Sequence, residues 1–125
     1  MYGNIENNFY SEFEKNIKDH SNFVSYCGNI DFRKSSKIIF SYDIVLFLTF
    51  WPGEGFPGTL IDCFFASTPV IATDWKYNFE ILDDKRTGIR VNIGDIDKTA
   101  MEIVHLVENP DILEKMSLNC YDERM

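Results

Sequence analysis

The run Ile44-Val45-Leu46-Phe47-Leu48 constrains this chain most: five apolar residues with no polar alternation, closed by a Pro and Gly cluster from Pro52 to Gly58. A strand with one wet face alternates; a strand without alternation is covered on both faces, which is the habit of a central strand in a parallel sheet. The apolar stretch reaches Trp51, is broken by Thr49 and meets Pro52, so it falls far short of the roughly 20 residues of a membrane helix.

The rest of the chain alternates strand and helix signals. Phe9, Phe13 and Ile17 recur at four-residue spacing among charged residues and predict a first amphipathic helix. Phe23 to Tyr26 reads as a short strand stopping at Gly28, and Arg33 to Tyr42 as a helix with Ile38, Ile39 and Tyr42 on one face. After the Ile44 strand come a helix over Thr59 to Ser67 and a strand Val70 to Thr73 behind Pro69. A short helix around Phe79 to Leu82, a turn at Thr87-Gly88 and a strand Ile89 to Val91 follow. Ile96, Ala100, Ile103, Val104 and Val107 form one helical stripe; Ile112, Leu113, Met116 and Cys120 form another, behind Asn109 as cap and Pro110 in the first turn. The fold class is α/β, a Rossmann-like parallel sheet with flanking helices. The 125 residues contain no repeat or linker and read as one domain.

Composition excludes several functions. A net charge of −8, with the basic residues scattered, repels a phosphate backbone, so nucleic acid is not an expected partner. Cys27, Cys63 and Cys120 are an odd number at wide intervals with no Cys-x-x-Cys pair, which predicts reduced thiols packed as small core residues. The N-terminus lacks the basic-then-apolar plan of a signal peptide, implying a cytoplasmic protein.

The stretch from Pro52 to Asp62 carries the chemistry, because open α/β sheets bind ligands between a strand end and the following helix. Its glycines allow a sharp turn and close approach of backbone to ligand. A helix starting near Gly58 aims unpaired N–H groups at an anion such as a diphosphate. Glu54 and Asp62 flank it, and carboxylates accept hydrogen bonds from vicinal sugar or ribose hydroxyls. A tight turn with two solvated acids accounts for the same composition equally well. Trp51, Trp75, Phe64 and Phe65 could stack on a base or sugar, but aromatics beside buried strands are more often core. His20 and His105 lack triad partners in sequence and read as surface residues, and Lys76, Lys85, Arg86 and Arg90 as solvated.

The segment Glu54-Gly55-Phe56-Pro57-Gly58-Thr59-Leu60-Ile61-Asp62, followed by Pro69-Val70-Ile71-Ala72-Thr73-Asp74, resembles the signature of the glycosyltransferase group 1 family, also called family 4, whose fold is GT-B. The family hallmark is an acidic residue, seven others and a second acidic residue, matched by Glu54 and Asp62; Asp43, Asn78 to Glu80, Thr87-Gly88 and Gly94-Asp95 follow the family order. The resemblance implies the C-terminal, donor-binding domain of a retaining enzyme that transfers a sugar from a UDP- or GDP-linked nucleotide-sugar to a glycan or lipid acceptor. It implies that Glu54 contacts the donor sugar, that the amides of Gly55, Phe56, Pro57–Gly58, Thr59 and Leu60 hold sugar and diphosphate, and that Asp62, where Glu is commoner, binds the ribose. Gly28 and Ile30 would lie near the base.

The resemblance also implies that the chain starts after the family's first strand and its Arg and Lys pair, with Met1 to Asn4 ending the second strand, and that the acceptor-binding domain is absent. Activity of this chain alone is then not expected, and open sheet edges would pair with each other or with another chain, or leave a marginal fold prone to association. A noncatalytic nucleotide-sugar-binding subunit with a separately encoded partner is the alternative, and a dinucleotide oxidoreductase a weaker one. No metal or other cofactor is implied, since the relatives rely on basic residues; full-length relatives would be membrane-peripheral at most.

Overall fold

The computed structural model describes residues 1–124, which form two compact units, one from Met1 to Lys34 and the other from Ser35 onward.

In the first unit a 3-10 turn, Asn7–Phe9, leads into α1, Tyr10–Asp19, whose inner face is Phe13 and Ile17 as the spacing predicts. Phe13 meets Tyr26 edge-on at 5.1 Å between ring centroids. The strand expected at Phe23 to Tyr26 does not form. Phe23 and Val24 both donate to the carbonyl of His20, so they continue the turn that ends α1, and Phe23 is 89% exposed. Met1 to Gly3 lies beside the segment from Ser25 to Gly28: the Met1 ammonium donates to Ser25 O at 2.6 Å, Cys27 N–H to Met1 O and Gly3 N–H to Gly28 O.

The second unit opens with α2, Ser35–Ile39, shorter than the helix expected to Tyr42 because Ser41 and Tyr42 close onto Ile38 and Ile39 in a tightened last turn. The order β1 Val45–Phe47, α3 Gly58–Phe65, β2 Val70–Thr73, α4 Asn78–Ile81, β3 Gly88–Val91, α5 Ile96–Glu108 and α6 Pro110–Glu123 follows. The strands form a three-stranded parallel sheet in the order β1-β2-β3, with Val45 opposite Val70 and Val70 opposite Gly88.

The centre of the sheet is β2 rather than the Ile44 run. All four β2 residues are buried, whereas β1 pairs only with β2 among the described residues and leaves Leu46 49% exposed. Alternation on β2 divides the core. Val70 and Ala72 pack with Ile39, Leu60, Cys63, Ala66 and Leu82; Ile71 packs with Ile89, Val91, Leu106 and Met116. Each fully buried Leu or Ile here contributes about 2 kcal/mol by removal from water.

The α5 stripe also differs. Thr99 and Leu106 turn inward with Ile103 beside them, while Ile96, Val104 and Val107 are 78%, 52% and 66% exposed. One face of α5 covers β3 and α6, and of the apolar stripe legible in the sequence only Ile103 packs on it. Asn109 does not cap α6 with its side chain; it donates back to His105 O at 2.7 Å, and Pro110 opens α6 where a missing N–H costs nothing. Among the described residues, no helix is long and apolar enough to cross a membrane.

Candidate functional site at the carboxyl ends of the strands

All three strands run the same way, so their carboxyl ends face a common side, and the segments after β1 and β2 build that rim. The β1–α3 segment carries Glu54, half-buried, then exposed Gly55 and Phe56, buried Pro57 and exposed Gly58. A Cβ at Gly53 would meet Trp51 Nε1 at 2.5 Å, so any larger residue there displaces the exposed Trp51 side chain. Helix α3 starts without a side-chain cap, Pro57 standing at its N-cap position.

The amides at this helix end divide into two sets. Gly58 N–H donates to Phe56 O at 2.9 Å and Leu60 N–H to Pro57 O at 3.0 Å, and Pro57 has no N–H to offer. The N–H groups of Gly55, Phe56 and Thr59 make no hydrogen bond among the described residues. Of these, Thr59 lies in the first turn of α3, where an uncapped donor carries partial positive charge and suits an anion, and Gly55 and Phe56 are loop amides ahead of it. Leu60 belongs to the core, its side chain fully buried, while Thr59 is half-buried.

Asp62 lies one turn into α3 and is half-buried; Ser35 Oγ donates to its Oδ2 at 2.5 Å, leaving Oδ1 as an acceptor. Glu54 Oε2 accepts from Thr49 Oγ1 at 2.8 Å. Neither partner, Ser35 nor Thr49, is legible from the sequence, since nothing local marks a hydroxyl that will meet an acid. Gly28, at φ 77°, and half-buried Ile30 belong to the first unit, where Gly28 O accepts from Gly3.

Several other expectations change. Trp51 is 59% exposed rather than core, and Trp75 is half-buried with its Nε1 donating to Trp51 O at 2.8 Å. Phe64 is core at 5% exposure, but Phe65 faces out. Arg90 is not a solvated cation: its guanidinium donates to Leu82 O at 3.1 and 2.6 Å and to Phe79 O at 3.0 Å, and lies 4.3 Å over the Phe79 ring, closing the end of α4. Cys63 and Cys120 are buried as expected, burial pushing both thiols up to about 12, whereas Cys27 is exposed.

Two spellings in the sequence need their structural context. Gly53-Glu54-Gly55-Phe56-Pro57-Gly58 reads Gly-x-Gly-x-x-Gly, the dinucleotide fingerprint, yet β1 closes at Phe47, well before Gly53, so the first glycine does not make the tight turn at the strand end that the fingerprint requires. Asp95-Ile96-Asp97 reads Asp-x-Asp, but Asp95 is occupied as the cap of α5, accepting from Lys98 N–H at 3.0 Å. No group of three or more potential metal ligands gathers among the described residues.

A family model for the group 1 glycosyl transferases matches residues 1–109. The chain belongs to the group 1 glycosyltransferases. No curated protein matches its sequence. Among solved structures it is similar to HepE of Anabaena in complex with UDP, with TM-score 0.83, 17% identity, and coverage of 92% of this chain and 31% of that one. It is similar to sucrose-phosphate synthase of Thermosynechococcus elongatus, with TM-score 0.79, 17% identity and coverage of 98% and 32%. The C-terminal domain of a group 1 glycosyl transferase of Francisella tularensis gives TM-score 0.74, 22% identity and coverage of 94% and 60%. The glycosyltransferase chain thus has the Rossmann-like fold of a GT-B C-terminal domain and spans part of that domain and under a third of the longer relatives.

Proposed function

We propose that this chain is the donor-binding part of a retaining glycosyltransferase that moves a sugar from a nucleotide-sugar to a glycan or lipid acceptor. The observation that carries the reading is the set of unpaired N–H groups of Gly55 and Phe56 in the loop and of Thr59 in the uncapped first turn of α3, between the carboxylates of Glu54 and Asp62 in the chain. A diphosphate accepts from those donors. Glu54 accepts from hydroxyls of the sugar, and Asp62 Oδ1 from the ribose, while Leu60 shapes the loop from within the core. Group 1 membership supports sugar transfer, and HepE, whose structures hold UDP and UDP-glucose, supports a uridine nucleotide as the first donor to try.

In transfer, the bond from the sugar's anomeric carbon to the phosphate oxygen breaks, its electron pair stays on the leaving diphosphate, and the acceptor hydroxyl oxygen bonds to the sugar as its proton passes to the leaving diphosphate. Each preorganised donor aimed at the leaving oxygen lowers the barrier by roughly 3 kcal/mol. On this reading the chain alone binds donor without transferring, because acceptor binding resides in the additional length of its relatives. The test is calorimetric titration with UDP, GDP and ADP, with Glu54→Ala and Asp62→Ala as controls. Saturable binding of one nucleotide that Asp62→Ala weakens supports the reading; a folded chain that binds none of the three refutes it.

The second reading is a noncatalytic nucleotide-sugar-binding subunit with a partner chain. It is favoured by β1, whose outer edge carries no strand among the described residues, with Leu46 within it 49% exposed and Leu48 just after it 40% exposed. Light scattering that stays monomeric at all concentrations, with and without candidate partners encoded nearby, counts against it.

A further inference from the structure

A carboxylate on a loop holds one orientation only if something fixes it, because the terminal torsion of Glu is broad. Glu54 is fixed by Thr49. The hydroxyl donates to Glu54 Oε2 at 2.8 Å and accepts the Trp51 N–H at 3.3 Å, so its proton is committed to the acid. Both residues are half-buried.

Thr49 is held in turn by the segment after β2. Thr73 Oγ1 donates to Thr49 O, Trp75 Nε1 to Trp51 O and the Lys76 ammonium to Pro52 O, each donor 24 residues beyond its acceptor. These rungs tie the two loops together in register. Lys76 takes φ 46° in making its rung, a conformation that costs a non-glycine residue energy. Asn78, 1% exposed, extends the ladder by donating to Thr73 O at 3.0 Å.

We propose that Thr49 is a positioning residue for donor binding: it occupies Glu54 Oε2 and so aims Oε1 at a hydroxyl of the donor sugar, with Thr73, Trp75 and Lys76 holding the Thr49 segment in place. The inference rests on the donor-binding reading above. It assigns Thr49 to recognition of the sugar and not of the nucleotide.

The test compares UDP with UDP-glucose as probes on the full chain. The wild type binds UDP-glucose more tightly than UDP, and Glu54→Ala removes that difference. Thr49→Val reduces it about tenfold, the size of a lost charge-assisted hydrogen bond, with UDP affinity unchanged, and Thr49→Ser restores it. The Thr49→Val, Glu54→Ala double variant loses nothing further. Unchanged UDP affinity also reports that the variant is folded; if Thr49→Val does not fold, Thr49→Ala replaces it. A sugar-dependent gain that survives loss of the hydroxyl but not Glu54→Ala overturns the role of Thr49 alone. A gain that survives Glu54→Ala overturns the sugar contact of Glu54 and with it the role of Thr49, whereas a folded wild type that binds neither probe, nor GDP nor ADP, refutes the donor reading itself.

Discussion

The Ser35 hydroxyl donates to Asp62 Oδ2 at 2.5 Å, joining α2 to α3 and leaving Asp62 one oxygen for a ligand. Removal of the hydroxyl in Ser35→Ala costs about 1 kcal/mol of stability and lets the Asp62 side chain rotate. UDP affinity falls, but by less than in Asp62→Ala, which removes the acceptor entirely. Thermal melts and titration of both variants check this; equal losses would mean that Asp62 acts only through Ser35.

Ser67 follows the end of α3 with φ 54°, the left-handed position where glycine carries no Cβ penalty. Its carbonyl, which accepts from Ser117 Oγ, is retained on substitution. Ser67→Gly therefore stabilises the fold by about 1 kcal/mol. A denaturant midpoint that does not rise would show that the Ser67 side chain makes a compensating contribution.

Gly88 gives the opposite result. A Cβ at this position would meet the Val70 carbonyl oxygen at 2.0 Å and Leu82 Cδ1 at 2.8 Å, in the pairing of β2 with β3. Backbone cannot yield as a side-chain tip can, so Gly88→Ala costs about 3 kcal/mol or more. Equilibrium unfolding measures it, and a loss below 1 kcal/mol would contradict the close approach of these strands.

The cysteines separate by burial. Cys63 and Cys120 are shielded and their thiols are held up at about 12, chiefly by desolvation, so neither reacts with a disulfide reagent at pH 8 while the protein is folded; exposed Cys27 does. The expected count is one reactive thiol in buffer and three in denaturant. The same shifts set a pH dependence. The folded state keeps these protons where the unfolded chain, with thiols near 9, has released them, so stability is intact below about pH 9 and falls as pH rises towards 12. A flat alkaline stability profile would refute it.

Arg90 gives the last prediction. Its planar fork donates to two carbonyls while lying over Phe79, a combination that an ammonium cannot reproduce. Arg90→Lys therefore loosens α4, costing about 1–2 kcal/mol and speeding exchange of the amides at the end of that helix. Unchanged exchange there would remove Arg90 from this role.

Some of this was legible because its cause is local. The spacing of Met116 and Cys120, Pro110 at a helix start and the run Val70 to Thr73 each depend on neighbours a turn or a pleat away, and the structure has them as helix, start and strand. The spacing of the acids Glu54 and Asp62 is local in the same way, a pattern within one segment that points to the candidate site, with their role in it a proposal.

What local order does not contain is the partner of each group. An unbroken apolar run says that a strand can be covered, not that it is; the Ile44 run and the fully buried Val70 strand look alike in sequence, and sheet order puts only the second between two neighbours. The Thr49–Glu54 bond hangs on rungs spanning 24 residues and the Ser35–Asp62 bond spans 27. Ser35 meets Asp62 only because the fold packs α2 against α3, and although Thr49 and Glu54 lie in one loop, the rungs that hold that loop come from the segment after the next strand, so these supports are a property of the assembled fold and not of any stretch of the chain.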